Sequence, residues 1–252
     1  MFNKNRLTII SGAFGTGKTE IAINLAIQLR QKGIPKVLLI DLDIVNVYFR
    51  SRQKAYELEK LGIHVISTQK GLENADLPAL SPEIFSAFRA ENINEHTSTR
   101  AHERTKTDDV HAIFDLGGSD LGGVVLSRFH DDFGKIPYNH WLVVNPYRPF
   151  NLKNEDTLEI AGQIEARSRL PITGMIANPH LLDETNLAVI RNGYEQVKKI
   201  TTYPLLLLSV MEKFYTEDLK QFINCPILIM KKEMKQPWEV GGIRMGNVMS
   251  DG

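Results

Sequence analysis

Residues 12–19 have the types and spacing that most directly predict chemistry. They are Gly12, Ala13, Phe14, Gly15, Thr16, Gly17, Lys18 and Thr19, and they match the pattern G-x-x-x-x-G-K-[ST]. Glycines at these positions let the backbone curl so that its N–H groups converge on phosphate oxygens. Lys18 supplies a positive charge for the β- and γ-phosphates, and the Thr19 hydroxyl can ligate a magnesium ion that bridges them. We therefore predict a nucleotide phosphate loop, and we expect Lys18 to be exposed to the ligand rather than buried in the core.

The flanking sequence predicts the strand and helix that a phosphate loop needs. An apolar run at 7–10 precedes the loop, and Ile21, Leu25 and Leu29 follow it with helical spacing. Gly33 is expected to end this helix. The unbroken apolar run at 37–40 predicts a strand covered on both faces, as in a parallel sheet. This βαβ arrangement favours a phosphate loop over a plain glycine-rich turn, and Glu20 is included in the predicted nucleotide-binding segment because it directly follows the loop.

Three carboxylates are predicted at the carboxyl ends of buried strands, where open α/β sheets bind their ligands. Asp41 and Asp43 are two residues apart, so extended backbone would point both side chains the same way, towards a shared water or metal shell. A solvated strand end is the alternative explanation for this pair. Asp115 ends another apolar run and is predicted to hold a magnesium-bound water. Gly117 and Gly118, which follow it, would let the backbone approach the γ-phosphate.

The later sequence predicts further alternating strands and helices. Strands are expected at 141–145, 172–178, 205–210 and 226–230, and helices at 155–169 and up to about 200, with Asp183 or Thr185 capping the second. Asn178 ends one of these strands. Its amide is predicted either to contact the base of a nucleotide or to form a turn before Pro179.

The loop at 12–19, the stretch DLDIVNVYFR at 41–50 and the stretch FDLGG at 114–118 resemble the MinD/ParA/Mrp-type ATPases. That group includes the CobQ/CobB nucleotide-binding domains and belongs to the SIMIBI class of phosphate-loop proteins. The resemblance implies one doubly wound α/β domain with a mostly parallel sheet, ATP with magnesium as ligands, and often a nucleotide-dependent homodimer. It also implies that Asp43 orients the attacking water while Asp41 and Asp115 hold the magnesium shell, and that Asn178 contacts the base.

One departure from the family concerns a signature lysine. Family members commonly carry it directly after the first loop glycine, and it reaches into the partner's nucleotide site; Ala13 occupies this position here. The departure predicts slow intrinsic turnover, because one preorganised cation is missing from phosphoryl transfer. Arg50 is either the nearest substitute or an ordinary surface arginine.

Composition narrows the functional classes. The 252 residues carry 30 basic and 30 acidic side chains, so no basic field predicts an obligate nucleic-acid partner. The single cysteine, Cys225, excludes an internal disulfide framework and a C-x-x-C pair. We expect one domain over 1–252, with a polar loop near 91–109, a polar tail near 232–252, no signal peptide, no membrane anchor and a cytoplasmic location.

These patterns predict an ATPase that acts as a switch or accessory factor with an unidentified protein partner. Two alternatives stay open: an ATP-dependent phosphotransferase or ligase with a small-molecule acceptor near Arg50, Arg148 or Arg169, and a nucleotide-binding regulator with little turnover. GTP is less favoured, because no N-K-x-D guanine signature follows the late strands.

Overall fold

The computed structural model of the chain describes residues 5–43, 52–67, 81–89, 110–118 and 120–234. The predicted polar loop at 91–109, Arg50 and the tail beyond residue 234 lie outside the described residues.

A single parallel sheet forms the centre of the described structure. Its strands are β1 (Leu7–Ser11), β2 (Lys36–Asp41), β3 (Ile63–Ser67), β4 (Val110–Asp115), β5 (Tyr138–Val144), β6 (Gly174–Ala177), β7 (Leu205–Met211) and β8 (Ile227–Met230). They run side by side in the order β3-β2-β4-β1-β5-β6-β7-β8, and every neighbouring pair is parallel. The predicted fold class, a doubly wound α/β sheet, is confirmed.

Helices connect the strands and cover the sheet. They are α1 (Lys18–Gln31), α2 (Arg52–Lys60), α3 (Asp120–Ser127), α4 (His130–Phe133), α5 (Asn154–Ser168) and α6 (Leu187–Lys198), with short 3-10 turns at Pro82–Ala87, Pro149–Asn151, Leu182–Glu184, Glu212–Phe214 and Glu217–Gln221. Alternate strand residues point to opposite faces. Ile10 accordingly packs with α1, whereas its neighbour Ile9 packs in the cluster that contains α3 residues.

The chain reverses its winding direction beside β1. From β1 it passes through α1 to β2, on one side, and from β4 it passes through α3 and α4 to β5, on the other side. This is the topological switch point at which open α/β sheets bind ligands beyond the carboxyl ends of their strands. The predicted phosphate loop, which follows β1, lies at this point.

Helix ends match the sequence predictions at one site and correct them at another. Gly33 follows α1 with φ of 87°, the left-handed conformation expected just beyond a helix end. At α6 the predicted caps are wrong: Asn186 accepts a hydrogen bond from the backbone N–H of Val189, at 3.0 Å. Thr185 instead closes the preceding turn through hydrogen bonds with the backbone of Leu181 and Leu182, each 2.8 Å long.

Candidate functional site

The loop at 12–19 joins β1 to the N-terminus of α1 and has the tight geometry of a phosphate cradle. Three of its glycines have positive φ, namely 144° at Gly12, 73° at Gly15 and 93° at Gly17. A Cβ added at Gly12 would lie 2.5 Å from the carbonyl oxygen of Val143, so no larger residue fits there. Because α1 begins at Lys18, the positive end of the helix dipole faces the loop. The loop therefore has the backbone that anion binding requires.

Lys18 is buried, contrary to the expectation that it is exposed to ligand. Its side chain is 7% exposed, and its Nζ donates a hydrogen bond to the carbonyl oxygen of Ala13, at 2.7 Å. Burial lowers the pKa of Lys18, and the charges of Asp115 and Asp43 act in the opposite direction. The lysine thus lies across its own loop, where a hydrogen bond to a carbonyl partly offsets the cost of burying its charge. A phosphate ligand would exchange that carbonyl for an anionic acceptor.

The three predicted carboxylates come together beside the loop. Asp41 and Asp115 are paired residues of adjacent strands β2 and β4, and both are buried. Asp41 does not point freely into the site as a simple strand would predict, because its Oδ1 accepts a hydrogen bond from the backbone N–H of Asp43, at 3.0 Å. The Asp43 carboxylate lies against Gly117, where an added Cβ would be 2.7 Å from Asp43 Oδ1.

The segment after β4 packs directly on the phosphate loop. A Cβ added at Gly118 would lie 2.7 Å from Phe14 Cα and 3.0 Å from Lys18 Nζ. This contact requires glycine because no side chain fits between the two backbones. The predicted phosphate loop and the segment that follows the acidic end of β4 are therefore in direct contact.

The Asn178 side chain is hydrogen-bonded to the backbone of the phosphate loop. It is 5% exposed, its Nδ2 donates a hydrogen bond to the carbonyl oxygen of Thr16 at 2.7 Å, and its Oδ1 accepts one from Ser209 Oγ at 2.9 Å. The amide therefore connects three segments, the loop, the end of β6 and β7. The sequence left open whether Asn178 contacts a base or forms a turn, and did not predict this third role, because it depends on which strands are neighbours.

Thr19 and Glu20, in the first turn of α1, have different surroundings. Thr19 is half-buried at the end of the loop. The Glu20 carboxylate accepts hydrogen bonds from the backbone N–H groups of Glu233 and Met234, the latter at 3.1 Å. Burial raises the pKa of Glu20 to about 6. Its side chain thus binds the segment after β8, which no local sequence signal indicates.

The candidate magnesium ligands fit an ion that is bound together with a nucleotide. Within the described ranges, no group of three or more His, Cys, Asp or Glu side chains is placed to hold a metal. Thr19, Asp41 and Asp115 offer one hydroxyl and two carboxylates around the loop. Magnesium commonly binds through one or two carboxylates plus substrate phosphates and water. The donor set therefore fits magnesium bound with phosphate.

A cavity of 420 Å³ opens beside the same loop. Gly12, Ala13 and Phe14 line it on one side, and Ile160 and Ile164 of α5 line it on another. Most of its surface is apolar. Its wall includes loop backbone, so a molecule bound here would lie next to the phosphate-binding groups.

None of the helices in the described part of the chain combines the length and apolar character needed to cross a membrane.

Arg169, one of the predicted acceptor-site arginines, is exposed at the end of α5. Its guanidinium donates a hydrogen bond to the carbonyl oxygen of Ser127, at 3.4 Å.

Comparisons with known proteins identify the family. The model of the CobQ/CobB/MinD/ParA nucleotide binding domain matches residues 7–213. No curated protein sequence matches the chain.

Solved structures with similar folds have low sequence identity to this chain. The signal recognition particle receptor FtsY from Elizabethkingia anophelis is 21% identical over 88% of this chain, with a TM-score of 0.47. The cell division protein FtsY from Thermotoga maritima is 22% identical over 83%, with a TM-score of 0.45. This chain covers 63% of each FtsY chain. A nucleotide-binding protein from Archaeoglobus fulgidus, in complex with ADP, is 18% identical over 86% of this chain and 84% of its own, with a TM-score of 0.45.

The family match spans the phosphate loop, the three carboxylates and Asn178, so it covers every group of the candidate site. The chain belongs to the CobQ/CobB/MinD/ParA family, and residues 7–213 form its nucleotide-binding domain.

Proposed function

We propose that the protein binds ATP with magnesium and acts as a slow nucleotide-dependent switch. The observation that carries this proposal is the convergence of Lys18, Asp43 and Gly118 on one side of the phosphate loop. A switch needs a segment that responds to the γ-phosphate, and Gly118 touches both the loop backbone and the lysine that would bind that phosphate.

Magnesium would be held by residues of the loop and of the two acidic strand ends. Thr19 would hold the ion together with water molecules bound to Asp41 and Asp115, and the ion would offset negative charge on the terminal phosphates. Asp43 would orient the attacking water, since its carboxylate lies against Gly117 in the segment that faces the loop.

Slow turnover is expected because the position of the family's signature lysine carries no charge. Ala13 provides no charge, and Lys18 lies on its own loop in a buried position. Stabilisation of the developing charge by preorganised cations is among the largest contributions to phosphoryl transfer. We propose that hydrolysis is slow in the isolated chain and is stimulated by a protein partner or by formation of a homodimer, in the cytoplasm.

ATP is proposed over GTP on the sequence after β6. There Asn178 is followed by Pro179, His180 and Leu181, so the lysine and aspartate of the guanine signature are both absent. Titrating the protein with ATP and GTP, each with and without magnesium, tests this choice. Preference for GTP would contradict it.

The cavity supports a second candidate, the transfer of phosphate to a small-molecule acceptor. Its 420 Å³ is enough for a small metabolite, and Gly12, Ala13 and Phe14 of the phosphate loop form part of its wall. The two candidates differ in a measurable way. A switch releases inorganic phosphate from ATP with no acceptor present, whereas a phosphotransferase requires an acceptor and yields a phosphorylated product.

A further inference from the structure

Arg148 lies against the phosphate loop although it is far from it in sequence. It follows β5, which pairs with β1 throughout, with Leu142 opposite Ser11. The carboxyl end of β5 is therefore beside the loop. A Cβ added at Gly15 would lie 3.9 Å from Arg148 Nε and 4.0 Å from its Cδ. The arginine side chain thus lies close to Gly15, at the middle of the loop.

A hydrogen-bonded turn fixes the backbone position of Arg148. The backbone N–H of Arg148 donates to the carbonyl oxygen of Asn145 at 3.1 Å, and its carbonyl accepts from the N–H of Asn151 at 2.8 Å. Asn145 itself is buried, and its side chain bonds the backbone of Tyr147 and His180. The backbone of Arg148 is therefore held by hydrogen bonds at both its N–H and its carbonyl group.

The guanidinium group has unsatisfied hydrogen-bonding capacity. Its Nε is fully buried and has no hydrogen-bond acceptor, and no acidic side chain in the described part of the chain forms an ion pair with it. A buried cationic N–H without an acceptor is costly. An anion held by the loop would supply the acceptor, and the fork of a guanidinium suits phosphate oxygens.

The charge of Arg148 also acts on the strand end where Asn178 lies. His180, two residues beyond Asn178, has a pKa below its ordinary value, first because of burial and next because of the Arg148 charge. Arg148 is thus near enough to the carboxyl end of β6 for its charge to act on His180. Simple packing over a glycine would explain the contact at Gly15, but it would not explain a buried Nε without an acceptor.

We propose that Arg148 is a second cationic binding group for the polyphosphate of the nucleotide, supplied by the same chain as the loop. It would act beside Lys18, which approaches the loop from α1. Its role is binding of the phosphates, and it would not take the place of the signature lysine that is absent at Ala13, so the proposal of slow turnover is unchanged. The proposal for Arg148 rests on the proposed binding of ATP and adds a residue to that site.

The test is calorimetric titration of the parent, Arg148→Ala and Arg148→Lys with ATP and with inorganic triphosphate, which has no base. Removing charge-assisted hydrogen bonds to phosphate should weaken both ligands by the same factor, about 10–100-fold. Arg148→Lys should recover part of the affinity, because it keeps the charge but loses the fork. Millimolar guanidinium should restore binding to Arg148→Ala and leave the parent unchanged.

Controls separate binding from folding. Arg191→Ala removes an exposed arginine that lies 5.2 Å from the ring of Phe222 and should leave both affinities unchanged. Thermal unfolding of each variant without ligand checks that the fold is kept. Unchanged triphosphate affinity in Arg148→Ala, or loss that guanidinium does not restore, would overturn the assignment of Arg148.

The result for the parent protein tests the proposed function separately. If the parent binds inorganic triphosphate but not ATP, the ATP proposal fails while the role of Arg148 is still decided by its variants. If the parent binds neither ligand, both proposals fail.

Discussion

Replacing Asn178 with alanine should weaken nucleotide binding through the loop rather than through the base. The variant loses the bond from Nδ2 to the carbonyl oxygen of Thr16 and the bond from Ser209 Oγ to Oδ1, which are 2.7 and 2.9 Å long. Each bond contributes about 1 kcal/mol, and a buried partner left without a bond costs about 1–3 kcal/mol. We expect a loss of about 2–4 kcal/mol in the free energy of unfolding without any nucleotide present.

The same change should lower affinity for every ligand of the loop. If re-forming the loop costs about 1–2 kcal/mol of this total, affinity falls about 5–30-fold. Calorimetry with ATP and with inorganic triphosphate measures the effect with and without a base. Equal losses for both ligands would show that Asn178 acts by holding the loop at Thr16.

Ser209→Ala is the matched control for Asn178→Ala. It removes the donor to Asn178 Oδ1 and to the carbonyl oxygen of Ala177 but leaves the bond from Asn178 to Thr16, so it should lower stability by about 1–3 kcal/mol and leave affinity unchanged. If Asn178→Ala binds triphosphate as the parent does but binds ATP more weakly, the amide acts on the base, and the reasoning from the loop is refuted.

Three further predictions concern the first turn of α1 and the carboxylate side of the site. Because the pKa of Glu20 is raised from 4.5 to about 6, its contribution to stability is full below pH 4.5 and declines as the pH rises through 6. The parent should therefore lose about 2 kcal/mol relative to Glu20→Gln between pH 4 and pH 7, measured by urea unfolding; equal pH dependence in the two proteins would refute this. Asp43→Asn should lower kcat for ATP at least about tenfold with little change in KM, because a group that orients water acts mainly in the transition state; turnover at the parental rate would move that role elsewhere. Gly118→Ala places a Cβ 2.7 Å from Phe14 Cα and should cost about 1–3 kcal/mol and weaken ATP binding, whereas Gly162→Ala, with open space around its Cβ, should do neither.

The sequence predicted those parts of the site that lie together in the chain. The loop at 12–19 is a continuous pattern, and its strand and helix follow from the apolar spacing on each side. Asp41 and Asp115 were placed correctly at strand ends because each follows a buried apolar run. Their pairing in adjacent strands β2 and β4 came from the order of the sheet, which no local pattern contains.

The sequence did not predict contacts between segments that are far apart in the chain. Arg148 was one of three candidate arginines, and only the pairing of β5 with β1 places it on Gly15. Glu20 and the segment after β8 are more than 200 residues apart, yet they share two hydrogen bonds. Lys18 was expected to be exposed, but it is buried and its Nζ donates a hydrogen bond to the carbonyl oxygen of Ala13, in its own loop.

The most direct test of the central claim is calorimetric titration of the parent, Lys18→Ala and the exposed-site control Lys199→Ala with ATP and magnesium. Lys18 provides the charge nearest the loop, so its removal should lower affinity at least about 100-fold, since an unpaired phosphate charge in a partly buried site costs several kcal/mol. Lys199→Ala should bind as the parent does, and all three proteins should remain folded by circular dichroism. ATP affinity that is unchanged in a folded Lys18→Ala variant would contradict the assignment of residues 12–19 as the nucleotide phosphate loop.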